Sequence, residues 1–204
     1  NQNGKSSPAI EGTYGCEMKG NVTLDIRSGR ANEICGTQEY STKSIIRGDL
    51  HIIAGAKKYE NTDRTLRLNG NWPIVGAGNR FAESPSEEGT YEVGGNITID
   101  TFENVWGWDK GTEPLSDDIP EIYGAIDSNV GGNITLNING SHMENITGAW
   151  DSNVKGDVTV NAINVDLRNS YYETEYDEGD ILVGYSAIIE GKSIINVDGG
   201  DINI

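Results

Sequence analysis

The sequence predicts an all-β chain wound as a parallel solenoid, and three observations carry the prediction. A short motif recurs along the chain: an apolar residue, one spacer, glycine, Asn or Asp, then apolar residues two and four positions beyond the glycine. The residues after each glycine alternate strictly between apolar and polar, which marks short strands with one buried face. Two long copies, "YGAIDSNVGGNITLN" at 123–137 and "TGAWDSNVKGDVTVN" at 147–161, align without a gap 24 residues apart. No 3.6-residue period is sustained, so helices are not expected.

Taken in order, the motif falls at Gly20, Gly48, Gly70, Gly95, Gly132, Gly156 and Gly191, at intervals of 28, 22, 25, 37, 24 and 35 residues. The apolar residue before each glycine is Met18, Ile46, Leu68, Val93, Val130, Val154 and Ile189 in turn. Asn or Asp follows in six copies, and Lys192 stands in the seventh. The apolar pairs beyond run Val22/Leu24, Leu50/Ile52, Trp72/Ile74, Ile97/Ile99, Ile134/Leu136 and Val158/Val160, with Ser193/Ile195 last. Glycine supplies the bend between two strands, and Asn or Asp beside it tolerates the left-handed region and bonds the local backbone. The expectation is therefore a parallel β-helix of about seven rungs, roughly 24 residues each. It forms a single domain over 1–204, with loop insertions at about 102–121 and 167–180. Ile126 and Trp150, Asp127 and Asp151, Asn129 and Asn153, and Val130 and Val154 should each lie one above the other.

Composition agrees. Hydrophobic residues make up only 35% and there are 27 glycines, which suits a thin coil with many turns and a narrow core. With 32 acidic and 15 basic residues the formal charge is −17, a field that repels nucleic acid and anionic membranes. No apolar run approaches the roughly 18 residues that a membrane span needs. The chain opens on Asn1 and closes on "GGDINI", which reads as the start of another repeat and suggests a piece of a longer protein. Cys16 and Cys35 occupy different repeat positions. Two buried free thiols or, in an exported protein, a disulfide are both compatible with that.

On this repeat the chain resembles the right-handed parallel β-helix of bacterial and phage surface proteins and of polysaccharide-active enzymes. The resemblance implies an adhesin-like, secreted or cell-wall-associated protein. No catalytic signature accompanies it.

Candidate binding residues sit where the repeat is interrupted. The insertions contain Trp106, Trp108, Asp109, Tyr171, Tyr172 and Tyr176. Solenoids project insertions from one face, commonly the binding face. Flat rings beside carboxylates suit sugars, whose C–H faces stack and whose hydroxyls need acceptors. Trp150, where the sister phrase has Ile126, joins them if it points outward. Asp127 and Asp151, about one rung apart, would raise one pKa of the two and form a carboxylate pair of the kind glycoside hydrolysis uses. The acidic run Glu173, Glu175, Asp177, Glu178 and Asp180 supplies oxygen ligands for calcium, but its spacing matches no calcium motif. The expectation is no cofactor, with calcium as the minority reading.

Other signals read as structural. The Thr column on the repeated strand is interrupted by His51 and Pro73, so it is a solvated sheet face rather than an ice-binding array. His51 and His142 look isolated. The five sequons, at Asn21, Asn96, Asn133, Asn139 and Asn145, mostly follow from the Gly-Asn-Ile-Thr repeat. Among functions, a non-catalytic binding module for glycans on a host or microbial surface ranks first. A spacer rod ranks second, and a polysaccharide lyase or glycoside hydrolase third. Each places the protein outside the cell.

Overall fold

A computed structural model describes residues 9–38, 43–55, 66–68, 74–78, 91–102, 105–107, 121–167 and 179–202. Every strand pairing in it is parallel. Sheet I stacks Ile10–Tyr14, Ile34–Gln38, Ile74–Ala77, Ile122–Ile126, Ile146–Trp150 and Ile181–Tyr185. Sheet II stacks Glu17–Met18, Ser44–Ile46, Tyr91–Val93, Ser128–Val130, Asn153–Val154 and Ile188–Ile189. Sheet III stacks Val22–Ile26, Leu50–Ala54, Ile97–Thr101, Ile134–Asn139, Val158–Leu167 and Ser193–Ile202, with His142–Met143 against the fifth of these. A short sheet IV holds Gly29–Ala31, Leu66–Leu68 and Val105–Gly107. The chain visits the sheets in the same order on every circuit, which is a parallel β-solenoid.

Register corrects the expected rung count. Leu50 pairs directly with Ile97, and Gly95 N–H donates to Gly48 O at 3.0 Å, so no rung corner lies between Gly48 and Gly95. The flanks of the motif at Gly70 go to different sheets: Leu68 pairs with Ala31 in sheet IV, and Ile74 pairs with Ile34 in sheet I. The described strands thus make six coils.

The core is the column of inward side chains. Ile34, Ile46, Leu50, Ile52, Ile74, Val93, Ile97, Ile99, Ile122, Ile134, Leu136, Ile146, Val158 and Val160 are essentially solvent-free. Each such side chain contributes roughly 1.5–3 kcal/mol on burial. Val130 and Val154 point into this one core, as the repeated phrase requires. Sheet I approaches sheet III across a row of inward glycines. A Cβ at Gly124 would lie 2.5 Å from Ile134 Cγ2, and one at Gly148 would lie 2.4 Å from Val158 Cγ1. In the last coil both partners change together: Val183 takes the glycine position and Ser193 the Val158 position. The two facing sites trade volume.

The Asn or Asp after each corner glycine forms a second ladder. Its side-chain oxygen accepts the backbone N–H of the equivalent residue one coil on. The bonds are Asn21 to Asp49 (2.9 Å), Asp49 to Asn96 (2.8 Å), Asn96 to Asn133 (2.9 Å), Asn133 to Asp157 (2.8 Å) and Asp157 to Lys192 (2.7 Å). These residues recur because each coil needs an acceptor at this bend.

Candidate ligand-binding face

The two copies of Asp-Ser-Asn-Val form the corner between sheets I and II. Ile126 pairs with Trp150, Asn129 with Asn153 and Val130 with Val154, all as the repeat implies. Asp127 and Asp151 turn the corner in the left-handed region, at φ 47° and 45°. Short side chains that bond locally tolerate this conformation better than β-branched ones do. The next residue, Ser128 or Ser152, points inward and is buried. Ser152 Oγ accepts the Ser128 N–H at 3.1 Å and donates to Trp150 O at 2.7 Å, while Ser128 Oγ donates to Ile126 O at 2.6 Å. The serines lock the turn, and the turn pushes the aspartates outward.

Beside them the outer face of sheet I carries an aromatic row. The Trp150 and Tyr185 rings lie 4.6 Å apart, tilted by 41°. Tyr123 meets Trp150 edge-on with centroids 5.9 Å apart. Tyr123 is buried together with Cys35, Val75 and Ile126, whereas Trp150 is half-buried and Tyr185 is 51% exposed. The row therefore has an anchored end and a solvent-facing end. Asp127 is half-buried and Asp151 exposed. Burial, and then the charge of Asp151, push the Asp127 carboxyl above the usual carboxylate range.

Past the corner, the outer face of sheet II holds a groove of about 580 Å³ spanning four coils, lined among others by Glu92, Asn129, Asn153, Lys155 and Glu190. Gly94 and Gly131 form part of its floor. Asn153 Nδ2 donates to Asn129 Oδ1 at 3.1 Å. At the earlier coils Arg47 is held by Glu17 (2.9 Å) and Glu92 (2.7 Å), and Lys43 lies 3.3 Å from Glu92.

Sheet III presents a different surface. Its outward columns are Thr23, His51, Thr98, Thr135 and Thr159, and beside them Asp100, Asn137, Asn161 and Asn196. The amides bond coil to coil, each Nδ2 donating at 2.7 Å to the preceding Oδ1. His51 is not isolated, because its Nε2 lies 2.7 Å from Asp100 Oδ2. This row of bonds runs from Asp100 to Asn196 and ties successive coils together.

Of the sequence-predicted site residues, the structure brings Asp127, Asp151 and Trp150 together at one corner. Trp106 lies in the sheet IV strand Val105–Gly107, and its side chain is outside the described residues. Trp108, Asp109, Tyr171, Tyr172 and Tyr176 also lie outside them, as does most of the acidic run proposed for calcium. Among the described residues no group of three or more metal-ligating side chains assembles. The cysteines are both free; Cys16 is exposed rather than buried, and Cys35 is buried. Tyr185 and Tyr123 lie at this corner but were not singled out from the sequence; Asn129 and Asn153 stack as expected, though not named as site residues. A second repeat would have found the tyrosines: Ile-x-Gly at 10–12, 34–36, 74–76, 122–124 and 146–148, with Ile181-x-Val183 as the sixth copy. Counted from it, Tyr185 falls in the column of Ile126 and Trp150. Comparison with protein-family models, curated proteins and solved structures finds no match for this chain.

Proposed function

We propose that this chain is a non-catalytic, surface-exposed binding module, a segment of an adhesin-like bacterial cell-surface protein that holds glycans at the Trp150–Tyr185 corner. One observation carries the reading: a tilted, partly exposed pair of aromatic rings in contact stands beside two outward carboxylates on a rigid turn. Rings of this kind stack on the C–H face of a sugar, and the carboxylates accept from its hydroxyls. Rigidity matters because a site already held by buried serines loses little conformational entropy on binding. The solenoid shape and the charge of −17 agree with a place outside the cell. A glycan array probed with the wild type, Trp150→Ala and Tyr185→Ala tests the proposal. Binding that falls about fivefold or more in both variants supports it, with each stacked ring contributing about 1 kcal/mol or more. Absence of binding, or binding indifferent to both changes, refutes it.

A second reading rests on the raised Asp127 carboxyl beside Asp151, the arrangement that separates acid from base in glycoside hydrolysis. Incubation with neutral and acidic polysaccharides distinguishes it. Products formed by the wild type and lost in Asp127→Asn or Asp151→Asn would move the chain from binding module to enzyme.

A further inference from the structure

We infer that the groove on sheet II continues the aromatic corner, so that the module grips an internal stretch of an unbranched, uncharged polysaccharide rather than a terminal or acidic sugar. The inference rests on the glycan reading of the corner and extends it. Groove and corner share one segment: Trp150 and Asp151 flank the corner, and Asn153 and Lys155 line the groove. They therefore lie side by side on the outer surface.

Dimensions point to a chain. The groove spans four coils, from Glu92 through Asn129 and Asn153 to Ile188. Three intervals of about 4.8 Å give a length near 14 Å. That is room for about three pyranose rings laid along the solenoid axis, one ring per coil to a first approximation. A monosaccharide would leave most of it empty. Asn129 and Asn153 occupy equivalent positions on the two middle coils, between Glu92 and Ile188 on the outer two. Their amides retain donor and acceptor capacity beyond the single bond between them. Gly94 and Gly131 let the coils stack closely beneath the groove, since a Cβ there would strike the neighbouring coil's backbone, at 2.6 Å from Arg47 O and 2.2 Å from Gly94 O. A groove four coils long with two central amides fits an extended polymer of hydroxyl-bearing rings.

Charge selects against acidic polymers. The Arg47 guanidinium, the strongest anion-binding group near the groove, is held by both Glu17 and Glu92. Lys43 is paired with the same Glu92. Lys155 has Glu190 at the equivalent position one coil on. Asp127 and Asp151 border the groove with two further negative charges. Within the lining Glu92 and Glu190 outnumber Lys155, and with Asp127 and Asp151 alongside a uronate or sulfated chain would meet a net negative surface.

The test is titration calorimetry of the whole chain against β-1,4-linked oligomers of glucose, mannose, xylose and N-acetylglucosamine. Lengths of one, three and six units are compared with galacturonate oligomers of the same lengths. The expected result is that a neutral series binds, that its hexamer binds about tenfold or more tighter than its monomer, and that galacturonates bind weakly or not at all. Asn153→Ala, an exposed position, should weaken the hexamer several-fold more than the monomer and melt like the wild type. A preference for galacturonate overturns the inference, and so does an affinity independent of length or a hexamer untouched by Asn153→Ala. If length has no effect while Trp150→Ala abolishes binding, the corner still binds glycans and only the groove extension fails. If no sugar binds here or on the array, both readings fail together.

Discussion

Gly148→Ala adds one methyl group and should cost the fold about 2 kcal/mol. Two effects of opposite sign compete. Replacing glycine reduces the conformational freedom of the unfolded chain, which stabilises by about 0.4–1 kcal/mol where the native backbone accepts alanine. Gly148 is not among the residues with positive φ, so this gain is available. Against it, the new Cβ would sit 2.4 Å from Val158 Cγ1 and 2.4 Å from Val183 O. Both distances lie more than 1 Å inside ordinary contact, and the carbonyl belongs to the next coil's backbone and cannot rotate aside. Overpacking of this kind costs about 1–3 kcal/mol, and a backbone partner places it at the upper end. The clash wins by about 2 kcal/mol. For a chain of this size that lowers the melting temperature by about 4–8 °C. The structure also names the compensating change, since the last coil carries Val183 and Ser193 where the fifth carries Gly148 and Val158. Val158→Ala alone should cost about 2 kcal/mol through its cavity. The double variant should be more stable than the sum of the two losses by about 1 kcal/mol, because the methyl fills part of that cavity. It should not return to wild type, because the clash with Val183 O persists. Urea unfolding followed by tryptophan fluorescence measures all four proteins. A Gly148→Ala midpoint equal to or above wild type would refute the packing argument, as would strict additivity in the double variant.

Ser152→Ala should destabilise by about 1–3 kcal/mol, because it leaves the buried Ser128 N–H without its acceptor; an unchanged urea midpoint would show that water replaces the hydroxyl. The raised Asp127 carboxyl makes the native state bind a proton more readily than the unfolded chain. Its contribution to stability is accordingly fully present below the ordinary carboxylate range and is lost as pH rises through the folded pKa. Asp127→Asn should remove that fall, and the difference in urea midpoint between wild type and variant, followed from acid to neutral pH, checks the sign. For the cysteines, Cys16 should react with a thiol reagent in the native protein. Cys35 should react only after unfolding, since it is buried and burial pushes its thiol well above the usual range. Two equivalents of native reaction would mean that sheet I opens.

Spacer function remains compatible with the same coil, and the glycan titrations separate it from a binding role. The chemical alternatives differ in what they ask of Asp127. A binding module uses it as an acceptor, and replacement by Asn preserves much of that. A hydrolase uses its proton, and replacement by Asn abolishes activity.

The sequence by itself determined the coil. Alternation, glycine bends and Asn or Asp corners are local demands, repeated once per circuit, so they print a period that reading along the chain recovers. The stacking of 123–130 on 147–154 followed from that period, and Ile126 and Trp150, Asn129 and Asn153, and Val130 and Val154 pair in that register. Only the tertiary structure decided how many coils there are and which residues share a surface. Leu68 and Ile74 satisfy the motif locally, yet belong to two different sheets, because strand pairing depends on residues a whole circuit away. For the same reason Tyr185, 35 residues beyond Trp150, became its ring partner, and His51 found Asp100 across 49 positions. A solenoid turns distance along the chain into adjacency along its axis. The length of each circuit, and hence which side chains meet, is set by how many residues each coil spends between sheets.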